Sequence, residues 1–497
     1  MNESITSPSE PDPWGFASST QNPRRSSEDK PEDDSWGAFA PSRGDSASGN
    51  ESATDISGQR LSASEGSDHG QHLRIRARSL AIALATVFAL GYIAEIVAAS
   101  RFIQLAGLKG LVIIYPLAGI GLILVTLTQV TWIDRIDRQK AFVRVALGFG
   151  VGFIIALVLI ANSSSRLSLI GTGLAVMLSE QVNLLLPLII WAMLGDLFNA
   201  AESRKVFPWV ITWRYAGQTI GLVIASLAPL VLTRLDVPLY TLLLVCPIGL
   251  IGLAIFLPRA LKGRALNHSH GEQEDLRESI RTAWNFVGGV KAFRGIFITS
   301  TLVMVAAPVL AGTLLSQSAD WADGDEGKLQ ILYGSTLLLV FVICWILQRG
   351  AVTKTMEKLN IPGSLALLPI AALFASVVIG LGVHVGLLWV MLIGNVAWRI
   401  PWWSIDDVAR RAAMTLVPDQ RRARVSFIVD LVPYGVGLII SGGILGIANA
   451  FNAPILAPII AFPFAVAAVL ASRIAIKSWA DALINPHLKR RRRLSEK

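Results

Sequence analysis

The chain has 497 residues, of which 53% are hydrophobic and 16% charged, and a formal net charge of +9. Soluble domains carry about 25% charged residues, so a mean hydropathy of +0.55 excludes an ordinary soluble enzyme. The two cysteines, Cys246 and Cys344, lie inside apolar runs without a Cys or His neighbour, which argues against a disulfide framework or a cysteine metal site.

Residues 1–72 are rich in Ser, Asp, Glu, Gly and Pro and poor in aliphatic residues, so they predict a disordered tail. No basic-then-apolar leader follows Met1, and the tail is expected to be retained. Within it, Asp12-Pro-Trp14-Gly-Phe16 and Asp34-Ser-Trp36-Gly-Ala-Phe39 are near-repeats. Aromatics in a polar tail suit a cytoplasmic docking partner; chance in a low-complexity segment is the alternative.

Hydropathy then predicts twelve spans: 79–99, 108–131, 143–162, 168–196, 207–232, 238–258, 293–315, 329–348, 363–383, 385–405, 425–448 and 454–475. Strand-like alternation is almost absent. The expected architecture is an all-α polytopic membrane protein of two six-helix bundles, 73–258 and 293–477, followed by a basic tail, 478–497. The linker 259–292 holds apolar residues Leu276, Ile280, Ala283, Trp284 and Val287 at helical spacing, predicting an amphipathic helix at the inner interface.

Basic residues crowd alternate loops: Arg74, Arg76 and Arg78; Arg135, Arg138 and Lys140; Arg204 and Lys205; the central linker; Lys354 and Lys358; and Arg410, Arg411, Arg421, Arg422 and Arg424. The intervening loops hold only Arg101, Lys109, Arg166, Arg234 and Lys328. The excess charge therefore reads as topology, not nucleic-acid affinity, with both termini cytoplasmic in a plasma or inner membrane. The run Lys489–Arg493 is a topology anchor or a site for anionic lipid.

An internal repeat organises the spans. Trp191 and Asp196 return as Trp402 and Asp407, and Arg214 and Gly221 as Asp430 and Gly437. Such a repeat marks a carrier built from two similar halves, unless the short matches are coincidence. Five ionisable residues sit within spans: Glu95, Glu180, Arg214, Arg399 and Asp430. Each costs a few kcal/mol in hydrocarbon and so faces a wet cavity or a partner. At ~1.5 Å per residue, Arg214 and Arg399 fall near mid-depth. One reading places Arg214, Arg399 and Asp430 on a substrate pathway, with Gln218 and Tyr434 on the same spans as neighbours and the arginines attracting an anionic group. The other makes Arg214 and Asp430 a structural ion pair locking the halves. Glu95 and Glu180 serve either proton coupling or hydrogen bonding between helices. Alternating charges at Asp134, Arg135, Asp137, Arg138 and Lys140 suit contacts with helix ends of the neighbouring bundle that hold one conformation and break in another.

No phosphate loop, His-Glu-x-x-His or nucleophile elbow occurs, so no enzyme, cofactor or metal site is expected; His268 and His270 lack further ligands.

Asp134-Arg135-x-x-Arg138-x-Lys140 resembles the loop motif of the major facilitator superfamily, with Asp137 where that family usually has Gly and Val130 in place of its leading Gly. More specifically, Glu180, Trp191, Asp196, Glu202, Arg204, Lys205 and Phe207 are similar to the corresponding stretch of the bacterial and plastid ATP/ADP translocase family. So are Asp406 or Asp407, Pro418-Asp419, Arg422 or Arg424, and Asp430, and the helix with Glu278, Ser279 and Ile280. The likeness covers most of 79–475 in order and hydropathy, and in identity only these patches. It implies a twelve-span alternating-access carrier. The candidate conformational contacts are Asp134, Arg135, Arg138, Asp196, Glu202, Arg204, Asp407, Arg421 and Arg424. That family has basic residues in the first and eleventh spans; here those spans carry Glu95 and Pro433–Gly437, with no Lys or Arg in their place. The expectation is a secondary transporter for a small, anionic solute, in the bilayer, with a proton or counter-ion as the coupling partner. Nucleotide exchange is one version of it, and a non-transporting membrane scaffold or receptor is the alternative.

Overall fold

A computed structural model describes residues 55–132, 137–198, 200–262, 276–348, 350–414, 416–417 and 419–484. The chain divides into two units, 1–62 and 63–497. Of the first, only the helical stretch 55–62 is described; the Trp/Phe repeats of the tail lie outside the described residues.

Every regular element among the described residues is helical. In chain order these are α1 (Asp55–Trp132), α2 (Arg138–Ile160), α3 (Ser165–Leu197), α4 (Ala200–Leu232), α5 (Val245–Ala260), α6 (Leu276–Gly289) and α7 (Lys291–Ala322). They continue as α8 (Glu326–Gln348), α9 (Ala351–Leu365), α10 (Leu367–Val385), α11 (Leu388–Pro401), a π-helical turn (Trp402–Asp406), α12 (Asp407–Met414), α13 (Asp419–Ala450) and α14 (Leu456–Ile484).

Ten helices among the described residues are long and apolar enough to cross a membrane, so the chain is an integral membrane protein. The first of them, His72–Leu124, contains two of the expected spans. Gly107, at φ 58° and ψ −157°, separates them; a side chain strains that conformation, and glycine does not. The span expected at 385–405 is α11 continued by the π turn, which keeps α11 itself at 14 residues. Gly386, at φ 74°, ends α10 and turns the chain back into α11. With the first helix divided at Gly107 and α11 counted with its π turn, the described residues hold twelve apolar segments in the order the hydropathy predicts. Helix α1 begins at Asp55, inside the segment 1–72 read as a tail.

The amphipathic helix of the linker is α6. It docks on protein: Ala283 and Val287 are buried against α7, α12 and α13, and Trp284 meets Phe297 edge-on with ring centres 5.4 Å apart.

Apolar side chains form two large cores. One gathers the first segment of α1 with α2 to α5, and the other gathers α7, α10, α11 and α14. Each borrows from its neighbour. Leu337, Val340 and Phe341 of α8 belong to the first core, and Phe102, Leu111 and Ile114 of α1 to the second. Two seams therefore join the halves. At one, Gln330 donates from Nε2 to the Ala225 carbonyl at 2.7 Å, and Gly334 admits Ser226. At the other, Gly119 and Gly435 bring α1 and α13 together, and Gly442 admits Pro116.

The repeat has a packing counterpart. A Cβ on Gly221 would lie 2.4 Å from the Ala89 carbonyl oxygen, and one on Gly437 would lie 2.0 Å from that of Met304. The residues aligned by sequence thus perform one task in each half: they let α4 lie on α1 and α13 on α7. Gly437→Ala must push α13 off α7 and is expected to cost about 1–3 kcal/mol. Gly443→Ala, with nothing within 4 Å, is expected to cost little. Thermal unfolding of the two variants in detergent checks this; equal midpoints would refute it.

Candidate functional site

The π turn and α12 carry Asp406-Asp407-x-x-Arg410-Arg411, two Asp–Arg pairs at i, i+4 on one short helix. That spacing places each pair on a shared face, with the acid toward the helix N-terminus where the dipole favours it. Asp406 pairs with Arg410, and Asp407 accepts from Arg411 Nε at 3.1 Å. Arg410 also lies 3.8 Å from Asp430, which accepts a 2.9 Å bond from Ser426.

Asp407 reaches across to the other half. Arg214 of α4 donates to it at 3.0 Å. The same guanidinium stands 5.0 Å from the Phe88 ring centre and 5.4 Å from that of Trp403. The partner of Arg214 is therefore Asp407, not Asp430, because α12 interposes its own charges between the repeat-equivalent positions. Beside it Tyr215 donates to the Trp403 carbonyl at 3.2 Å, and Gln348 donates to that of Ser404 at 2.8 Å. Both acceptors lie in the π turn, whose irregular winding leaves backbone oxygens to accept from neighbouring helices. Arg411 completes the closure 5.8 Å from the Trp191 ring centre.

Burial raises the Asp407 carboxyl, but Arg411, Arg214 and Arg410 outweigh it and hold that carboxyl well below the usual range.

The centre of the bundle holds a second polar set. Glu95 accepts from Asn183 of α3 at 3.3 Å and from Tyr333 of α8 at 3.5 Å. Glu180 accepts from Tyr434 of α13 at 3.4 Å. Each carboxylate of the first half thus meets a tyrosine of the second. Both acids are half-buried, and Arg399 stands within electrostatic range of each. Its Nε donates to Asn395 at 3.1 Å, and its guanidinium lies 4.9 Å from the Trp398 ring centre. Trp398 stacks on Trp402, which touches Trp403 and, at 6.3 Å between centres, Tyr434. An aromatic layer thereby separates this centre from the charges of α12. Gln218 is fully buried on α4, and its side-chain amide has no hydrogen-bond partner among the described residues.

The opposite end closes on one ion pair. Arg101 of α1 lies 3.1 Å from Glu326 at the start of α8, donates to Ser168 at 3.3 Å, and lies 5.0 Å from the Tyr240 ring centre.

Of the other residues expected to hold a conformation, Arg138 pairs with Asp196 and donates to the Ala192 carbonyl at 2.8 Å. That contact joins α2 to α3 within the first half. Glu202 lies 3.8 Å from Arg76. Asp134 and Arg135 lie outside the described residues, as do His268 and His270 and the side chains of Arg204, Arg421 and Arg424. Among the described residues no cluster of His, Cys, Asp and Glu is placed to hold a metal.

Sequence reasoning missed Glu326, Tyr333, Asn183 and Asn395, and counted Arg101 only as a loop charge. Arg101 and Glu326 flank spans on one side of the membrane, and opposite charges at two such ends were the available signal. The tyrosine and asparagines carried none, since single polar residues in apolar helices are common.

No family model matches the chain, and no curated protein sequence matches it. Solved structures do. The crystal structure of the nucleoside transporter NupG superposes with a TM-score of 0.57 at 11% identity, covering 81% of this chain and 99% of that one. A POT family transporter in complex with 5-aminolevulinic acid gives 0.55 at 13%, covering 83% and 96%. A bacterial homologue of the iron transporter ferroportin, in an inward-facing state, gives 0.55 at 16%, covering 82% and 98%. The fold is the major facilitator fold. At these identities the likeness concerns the fold of the two halves, and the ATP/ADP translocase resemblance rests on the motif residues alone.

The two acids at the junction of the π turn and α12 are expected to answer substitution differently. Asp407→Asn leaves the buried Arg214 without its anion and is expected to destabilise by on the order of 2 kcal/mol at pH 7.5. Asp406→Asn takes the nearest anion from Arg410 but leaves Asp430 at 3.8 Å, so it is expected to destabilise less. For Asp407, whose folded pKa is depressed, the stabilisation is present above the unfolded value and is lost only in strong acid. Thermal unfolding at pH 7.5 and 5 checks both; a larger loss for Asp406→Asn would reverse the assignment.

Proposed function

We propose that this protein is a secondary transporter that carries a small solute bearing an anionic group, by alternating exposure of the central polar set to the two sides of the membrane. One observation carries the reading. A polar centre built from both halves lies between two closures, Arg101–Glu326 and Arg214–Asp407, and each closure is an ion pair across the halves. Contacts of that kind hold one state and are exchanged for others when the halves rock. The fold supports it, since the neighbours named above are transporters of nucleosides, 5-aminolevulinic acid-bound or iron-related carriers by their own descriptions.

Arg399 is the cation for the solute, because Arg214 is engaged by Asp407. Glu95 and Glu180 are proposed to take up a coupling proton or counter-ion, their hydrogen bonds to Tyr333 and Tyr434 being made and broken as the halves move. The version with ATP/ADP exchange draws on the motif residues. A polyphosphate requires several convergent cations, and the described centre offers Arg399, which disfavours that version. Loop charge supports cytoplasmic termini in a plasma or inner membrane.

Uptake into proteoliposomes tests the proposal, after a thermal-shift screen has chosen the solute by its stabilisation, RT ln(1 + [L]/Kd). The wild type is expected to accumulate solute. Glu326→Gln and Asp407→Asn are each expected to slow uptake by about tenfold, equivalent to ~1.4 kcal/mol of the barrier. Absence of uptake for every stabilising solute would favour the scaffold reading, and unchanged rates in both variants would remove the closures from the mechanism.

A further inference from the structure

A narrow space of about 10 Å³ lies between α7, α8 and α11. Ala311 and Leu314 of α7, Tyr333 of α8, and Asn395 and Arg399 of α11 line it. That volume is close to one water-sized sphere, the least that admits a water molecule and too little for a larger ligand.

Asn395 sets what the space requires. The residue is fully buried. Arg399 Nε, which can only donate, bonds to Asn395 Oδ1 at 3.1 Å, one turn away on the same helix. That bond fixes the orientation of the amide, since Oδ1 must face the arginine and Nδ2 must point elsewhere. Nδ2 finds no hydrogen-bond partner among the described residues. A buried donor in that condition loses its hydration without recompense, and a water molecule in a polar space is the usual remedy. Such a water needs at least one more polar neighbour. Tyr333 supplies it: its hydroxyl donates to Glu95 at 3.5 Å, and the same oxygen can still accept.

We infer that one water molecule occupies this space, accepting from Asn395 Nδ2 and donating to the Tyr333 hydroxyl oxygen. The bonds then run in a single direction, from Arg399 to Asn395, to the water, to Tyr333 and to Glu95. Each link polarises the next, so a guanidinium of the second half supports a carboxylate of the first through neutral groups. Asn395 and Tyr333 are positioning residues in this chain. The water site stands on the space and its buried donor alone. Its bearing on transport rests on the carrier reading, because the Tyr333–Glu95 bond joins α8 to α1 and parts when the halves rock.

X-ray radiolysis of the full chain in phosphatidylcholine nanodiscs tests the site. Hydroxyl radicals made from a bound water oxidise the side chains beside it, including those that bulk solvent does not reach. Leu314 is 4% exposed and lines the space; Leu250 of α5 is fully buried and serves as the control. The wild type is expected to be oxidised at Leu314 and not at Leu250. Ala311→Val, whose added methyl groups enter the space, and Asn395→Leu, which removes the donor, are each expected to abolish oxidation at Leu314. Thermal unfolding gives a second reading. Displacing the water strands Asn395 Nδ2, so Ala311→Val is expected to lower the midpoint in the wild-type background and to lower it less in the Asn395→Leu background. Oxidation of Leu314 no faster than of Leu250, or equal losses of midpoint in the two backgrounds, overturns the inference. If Asn395→Leu cannot be purified, Leu314 oxidation in the wild type and in Ala311→Val decides. Oxidation at Leu314 without uptake of any solute keeps the water and ends the carrier reading; uptake without oxidation at Leu314 does the reverse.

Discussion

An arginine inside a membrane protein must find an anion, and Arg214 finds Asp407 on the other half of the molecule. Much of the local structure depends on this constraint. The ionised pair cannot sit in hydrocarbon, so Phe88 and Trp403 cover the guanidinium. Asp407 must be presented at the correct height, which the π turn and short α12 achieve by carrying it clear of the regular winding of α11. A carboxylate placed there attracts Arg411, and Asp406 beside it engages Arg410. A charge network follows from one buried cation.

The centre obeys the same rule with weaker partners. Glu95 and Glu180 meet hydroxyls and an amide instead of direct ion pairs. Neutral donors hold a carboxylate less firmly than a guanidinium does, so these bonds exchange more readily than the closures at the two ends. A firm closure at each end and an adaptable middle is the electrostatic arrangement a carrier needs.

The fold was legible because twelve apolar runs and alternating loop charge follow directly from the cost of burying polar groups in lipid. The repeat was legible at Gly221 and Gly437, where close backbone approach admits no side chain. Site residues were legible as a class, since ionisable groups in apolar spans are rare. Their pairing was not. Matching Arg214 with Asp430 assumed that equivalent positions face each other, whereas an irregular π turn, invisible to hydropathy, puts Asp407 in between. The length of α1 was hidden too, because residues 55–72 lack the apolar periodicity by which a helix is recognised.

The glycine seams have a mechanical consequence. Where Gly119 meets Gly435 and Gly334 meets Ser226, the helices touch through nearly bare backbone. Ridges of large side chains would interlock like cog teeth and resist sliding; smooth backbones offer little such friction. Because α8 and the second segment of α1 each pack into the opposite core, the halves are held from separating. The halves are thus joined at these seams by close backbone contact with few interlocking side chains.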